Sequence, residues 1–274
     1  MKISFIGTGT MASAMIKRII EKNICKREDI MGSAPRLKKV EEIHNKFGIK
    51  MLQDNSEVAK FGDIVVLSIK PQIFSTVSME LKEVLKDRQV VLSIMAGVPI
   101  ETIQKGLLHK KIVRVMPNTP AQIGQGMSVW TATKEVNEEE KKYAKEILSS
   151  IGKELFVENE EYIDMATALN GTGPAYVFLF LEAMISAGVH LGFSRRVSKE
   201  LVYQTALGSV LFAMSSNRHT AELRDMVTSP GGTTTEALYE MEKGGFRTVI
   251  EKAVHAAYKR TKYLGKLSKK KKGG

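Results

Sequence analysis

Over roughly the first 155 residues, short apolar runs alternate with stretches in which apolar residues recur at helical spacing. Lys2–Gly7 (KISFIG), Asp63–Ile69 (DIVVLSI), Gln89–Ile94 (QVVLSI) and Lys111–Met116 (KIVRVM) are runs rich in Val and Ile. Such runs suit strands buried on both faces of a parallel sheet. A further strand is expected near Asp29–Gly32. Between the runs lie the amphipathic segments Met11–Glu21, Arg36–Phe47 and Phe74–Leu85. This alternation predicts a doubly wound α/β domain. Glu138–Ile151 reads as another helix, with Asn137 as N-cap and Gly152 just past its end, and Lys153–Val157 reads as a last strand. From Tyr162 to Leu264 the spacing is helical throughout. The expected division is 1–158 for the α/β domain, 159–265 for an all-helical domain and 266–274 for a disordered basic tail.

Composition narrows the class. The 274 residues are 43% hydrophobic and 26% charged, the balance of a soluble globular protein. Cys25 is the only cysteine, which excludes an internal disulfide or a multi-cysteine zinc site and fits a reducing, cytoplasmic setting. The apolar start, Met1 to Ile6, meets Gly7 and Gly9 too soon for a signal-peptide core. Ala175–Phe193 is strongly apolar but carries Glu182 and His190, so it is expected to be a buried helix and not a membrane span. Of the net charge of +11, Lys266 and Lys269 to Lys272 supply five charges. That terminal run is expected to be solvated, and nothing else supports nucleic-acid binding. His190, His219 and His255 lack metal-ligand spacing, and no metal is expected.

Gly7-Thr8-Gly9-Thr10-Met11-Ala12 matches G-x-G-x-x-A directly after the first strand. Gly7 permits the tight turn, Gly9 lets the backbone approach a pyrophosphate, and Ala12 lets helix pack closely on strand. The helix N-terminus then offers free N–H groups to the phosphates. At the end of the second strand the chain reads Gly32-Ser33-Ala34-Pro35-Arg36, with no carboxylate to bind ribose hydroxyls. Ser33 and Arg36 are expected to hold a 2′-phosphate, which favours NADPH and leaves NADH as a lesser cofactor. The plainer alternative makes Arg36 only the exposed start of the next helix. Ile69, Lys70 and Pro71, Ala96 and Gly97, and Asn118 within Met116–Pro120 follow later strands, on the ligand-binding edge of this fold.

A second unusual stretch is Thr228-Ser229-Pro230-Gly231-Gly232-Thr233-Thr234-Thr235. Consecutive N–H groups at a new helix start, with hydroxyls nearby, suit a single carboxylate. Taken alone it is also a plain capped turn between helices. Together with Asn170-Gly171-Thr172-Gly173-Pro174-Ala175-Tyr176, the glycine fingerprint, the Lys70-Pro71 loop and the Met116–Pro120 loop, it closely resembles the pyrroline-5-carboxylate reductases. Thr10 and Thr172 depart from the commonest pattern, where Asn and Ser are frequent. The resemblance implies a Rossmann-type domain followed by a helical dimerisation domain, in a homodimer or a larger ring of dimers. It implies NADPH-dependent reduction of 1-pyrroline-5-carboxylate to L-proline, with Ser229, Gly231, Gly232 and Thr234 holding substrate beside the nicotinamide. Thr234 is the candidate contact to the ring nitrogen. Lys70 is a candidate general acid, or more simply a loop cation near the cofactor or carboxylate, since a free lysine titrates near 10.4.

Overall fold

The computed structural model describes residues 1–270. It divides into two compact units, one formed by Met1–Thr172 with the C-terminal stretch from Ala257, the other by Gly173–Ala256.

The first unit is built on one sheet of eight strands: β1 (Ile3–Ile6), β2 (Ile30–Ser33), β3 (Lys50–Leu52), β4 (Ile64–Leu67), β5 (Val90–Ser93), β6 (Ile112–Met116), β7 (Gly126–Ala132) and β8 (Gly152–Phe156). Their order is β3-β2-β1-β4-β5-β6-β7-β8, parallel except where β7 runs antiparallel to β6. In register, Ile3 faces Ile30 on one side and Ile64 on the other. The helices are α1 (Thr10–Glu21), α2 (Leu37–Phe47), α3 (Asn55–Phe61), α4 (Phe74–Leu81), α5 (Ile100–Leu107) and α6 (Glu138–Ser150). One buried cluster joins Phe5 and Val113 to α1, α2 and α6, and a second joins Ile6 and Val65 to α3, α4 and α5. Both faces of the sheet are therefore covered, which explains the unbroken apolar runs of β1, β4 and β5. Asn137 caps α6 as expected, in a capping box with Glu140. The half-buried Cys25 thiol is pushed up to about 11 by burial, first of all.

Arg114 interrupts the apolar run of β6 and is 2% exposed. Its guanidinium meets Glu160 Oε1 and Asp164 Oδ1, each at 2.6 Å, both from around α7 (Glu161–Ala166). Glu160 also accepts from the Ile100 N–H at the start of α5. Glu161 in turn accepts from Lys262 and Tyr258 of the last helix, α12 (Phe246–Lys270). One buried cation thus gathers β6, α5 and α7, and a carboxylate next in sequence ties in α12.

The second unit contains α8 (Gly173–His190), α9 (Arg195–Ser215), α10 (Thr220–Met226) and α11 (Thr233–Lys243), together with the first part of α12. It holds no strand, in keeping with the helical spacing. Three expectations need correction. β3 and β7 were not foreseen. The Ala175–Phe193 run is not buried within the chain: α8 has no buried residue, and Phe178 and Leu179 are 61% and 68% exposed. By length and composition, the continuous helical stretch from Glu161 to His190 is apolar enough to cross a membrane. Last, the tail expected to be disordered from Lys266 continues α12 to Lys270, with Leu267 beside Leu264 along the wall of a cavity; Lys271, Lys272, Gly273 and Gly274 lie outside the described residues.

Candidate functional site

At the carboxyl end of β1 the chain turns through Gly7, with φ +86, into α1. A Cβ there would stand 2.9 Å from the Ile69 side chain, so only glycine fits both the backbone and the space. The turn is held from two sides. Ser68 Oγ donates to Gly7 O (2.6 Å), and the Gly7 N–H donates to Ser33 Oγ (3.2 Å). Ser33 Oγ then donates to Asn55 Oδ1 at 2.7 Å, and Asn55 Nδ2 to Glu80 at 2.7 Å. Thr8 is buried and donates to Ser33 O, whereas Gly9 and Thr10 are exposed and Met11 is half-buried. No side chain caps α1, so its first N–H groups stay available, and a Cβ on Gly9 would meet nothing within 4 Å. Ala12 is buried in the core beneath. An open, uncapped helix start above a tight glycine turn fits a pyrophosphate.

Ser33 thus sits differently from expectation. It is fully buried and its hydroxyl is committed to the glycine turn and Asn55, so it shapes the turn from behind. Arg36 is exposed at the end of β2 and makes no ion pair among the described residues. It starts α2 as the plainer alternative had it, and its guanidinium remains available to a phosphate.

Lys70 is exposed and precedes a 3-10 turn, Pro71–Ile73, whose first residue is the loop proline. Ile69 packs on Gly7. Gly97, foreseen as a point of close ligand approach, is buried and faces α12: a Cβ on it would stand 3.3 Å from Leu264 Cβ and 3.5 Å from Thr261 O. Ala96 beside it is half-buried. Pro71, Phe74, Ala96, Gly97, Leu264 and Leu267 enclose much of a mainly apolar cavity of about 140 Å³. Asn118 is also used otherwise than expected. Its amide accepts from the Met127 N–H (2.9 Å) and donates to Asn170 Oδ1 (2.8 Å), so what the loop offers a ligand falls to its backbone and neighbours.

In the second unit, Ser229–Gly232 forms a tight turn into α11. Gly231 has φ +66, and the Gly232 N–H donates to Ser229 O at 3.0 Å. Thr235 Oγ1 bonds the same carbonyl at 2.7 Å. Ser229 Oγ lies over the Gly232 Cα, and Gly232 is the N-cap of α11 without a side-chain cap. Thr234 stands in the first helical turn. Uncapped amides and two hydroxyls here suit a small carboxylate.

Residues 160–264 match the family model for pyrroline-5-carboxylate reductase dimerisation, and residues 2–97 match one for coenzyme F420-dependent NADP oxidoreductases. The chain is 39% identical to pyrroline-5-carboxylate reductase of Pseudomonas aeruginosa, across 96% of each. It is 37% identical to that of Synechocystis, across 97% of this chain and 98% of the relative. The chain belongs to the pyrroline-5-carboxylate reductase family. A solved family structure, the Plasmodium falciparum enzyme with NADP bound, superposes with TM-score 0.89 at 37% identity, covering 96% of this chain and 98% of that one. The Coxiella burnetii family member gives 0.87 at 35% identity, with the same coverage.

Within this reductase frame, the first unit brings Gly7–Ala12, Arg36, Ile69–Pro71, Ala96, Gly97 and Asn118 to the carboxyl-terminal edge of one sheet, while Ser229, Gly231, Gly232 and Thr234 gather at the start of α11. Sequence reasoning gave no role to Asn55 or Asn170. Asn55 follows the N-cap Asp54, whose capping bonds to the Ser56 and Glu57 N–H groups explain that stretch by themselves. Asn170 lay inside a motif used only for the resemblance.

Proposed function

We propose that this chain catalyses the NADPH-dependent reduction of 1-pyrroline-5-carboxylate to L-proline, the final step of proline biosynthesis. The observation that carries the reading is the Ser229–Gly232 turn opening α11, within a chain similar to these reductases along its whole length. Bound NADPH supplies the hydride. The Gly7–Ala12 turn and the start of α1 receive the pyrophosphate, and the free guanidinium of Arg36 receives the 2′-phosphate, which sets NADPH above NADH. Lys70 stands on the same edge as a cation for cofactor or substrate carboxylate.

The substrate is a five-membered ring with a C=N bond and a carboxylate. Its imine nitrogen is basic enough to carry a proton near neutral pH, so little acid–base machinery is needed. The work of the protein is placement, with the reacting carbons about 3–3.5 Å apart. The Gly231–Gly232 turn, with the Ser229 hydroxyl and the uncapped amides that open α11, grips the carboxylate and so chooses the ring face presented. Thr234 contacts the ring nitrogen, directly or through water.

The active form is a homodimer or a larger ring of dimers, in which a second copy covers the apolar faces of α8 and α9. The protein works in the cytoplasm, in keeping with its single cysteine. The deciding assay follows NADPH consumption with 1-pyrroline-5-carboxylate, identifies L-proline as product and compares NADH. We expect turnover with both cofactors and a lower KM for NADPH. No L-proline from folded protein would overturn the reading.

A further inference from the structure

β6 and β7 stop pairing at Met116 and Val129, and the chain between them leaves the ladder. Three backbone groups at that mouth, Met116 O, Met127 N–H and Met127 O, are satisfied by two side-chain amides. Asn118 Oδ1 accepts from the Met127 N–H (2.9 Å), and Asn118 Nδ2 donates to Asn170 Oδ1 (2.8 Å). Asn170 Nδ2 donates in turn to Met127 O (3.0 Å) and Met116 O (3.3 Å). The two amides form a closed set in which each is oriented by the other.

Asn170 reaches this position because residues Thr167–Gly171 form a π-turn after α7. The Thr172 N–H bonds Thr167 O at 2.9 Å, and the wider turn carries one more residue than an α-helical one. Gly171 then lies against the Met116 methyl, which would have to move to admit a Cβ. On the far side, Asn118 opens the 3-10 turn Thr119–Ile123, which packs against α1, the helix that begins at the glycine turn.

We propose that Asn170 is a positioning residue for cofactor binding. Through Asn118 it fixes where the Met116–Pro120 loop leaves β6, and hence the rim that faces the nucleotide opposite the Gly7–Ala12 turn. The inference rests on the reductase reading for what the rim holds. Loss of the Asn170 amide leaves two carbonyls without their donor and Asn118 Nδ2 with only the longer bond to the Asn170 backbone carbonyl (3.3 Å), and the loop relaxes away from the sheet edge.

The test titrates NADP⁺ into the full-length protein by calorimetry, with steady-state kinetics alongside. Asn170→Ala and Asn118→Ala are each expected to weaken NADP⁺ binding about tenfold, and the double variant by no more than either alone, since each breaks the same set. At saturating NADPH and imine, kcat should stay within about twofold, placing the effect in KM. Asn170→Asp keeps the side-chain volume but, ionised, offers no donor. It should bind more weakly than wild type near pH 8 and recover as the pH falls through the carboxyl's titration, measured as a ratio to wild type at each pH, because the protonated form regains a donor. Should Asn170→Ala not fold, this pH profile decides. Wild-type affinity in both Asn170 variants, or additive effects in the double variant, would overturn the assignment. Wild-type protein that binds no NADP⁺ would instead overturn the reductase reading beneath it.

Discussion

The two compact units meet the same problem, covering their apolar residues, in different ways. In the first, side chains such as Phe5, Ile16, Val66 and Leu92 have no exposed surface, and helices cover both faces of the sheet. In the second, α8 has no buried residue and α9 only Ser198 and Val202, while Val177, Phe178, Leu207, Val210 and Leu211 stand more than half exposed. An apolar surface of that extent marks an interface or a membrane face. The dimerisation family model spans residues 160–264, the region in which this surface lies. The first unit buries its core within one chain, and the second leaves its apolar faces open in the region that the dimerisation model spans.

The largest expected effect tests that difference. Phe178→Asp on α8 should abolish the dimer in analytical ultracentrifugation and lower activity on the order of a hundredfold, because it places an unpaired charge in the interface. Met79→Asp, at an equally exposed apolar position on α4 of the first unit, should leave both unchanged. A dimer that survives the first change would break the comparison. Next, Arg114→Ala should destabilise the first unit by about 2–3 kcal/mol in denaturant unfolding, since Glu160 would keep only the Ile100 N–H and Asp164 only the distant Lys262 ammonium.

Two smaller effects separate the tasks of the units. Thr234→Ala should reduce kcat roughly ten- to hundredfold while NADPH affinity changes little. Arg36→Glu should do the converse, raising KM for NADPH about tenfold and leaving KM for NADH nearly unchanged. Equal effects of Arg36→Glu on both cofactors would remove that residue from 2′-phosphate recognition.

Much of this was legible in the chain, for identifiable reasons. β1, β4 and β5, and β6 but for Arg114, are buried on both faces and so read as apolar runs, and the glycine turn is written in residues that few other structures require. β3 is only three residues long at a sheet edge. β7 returns antiparallel after a 3-10 turn, with no crossover helix to announce it. The intramolecular bonds of Ser33 and Asn118 were not legible because a polar side chain near a ligand edge can face the backbone, and sequence does not reveal the direction. Arg114 carried a usable signal: a charge inside a buried strand needs partners, and acids such as Glu160 and Asp164 were there to supply them. The uncovered faces of α8 and α9 were hidden by the assumption that an apolar helix buries itself within its own chain.

The packing of Gly97 against Leu264 and Gly265 ties two distant stretches of sequence together. The compact unit that carries the glycine turn also takes in residues from Ala257 onward, beyond the whole helical unit. A substitution late in α12, such as Leu264→Asp, should therefore loosen the Ala96-Gly97 loop from behind, although it lies more than 160 residues away along the chain.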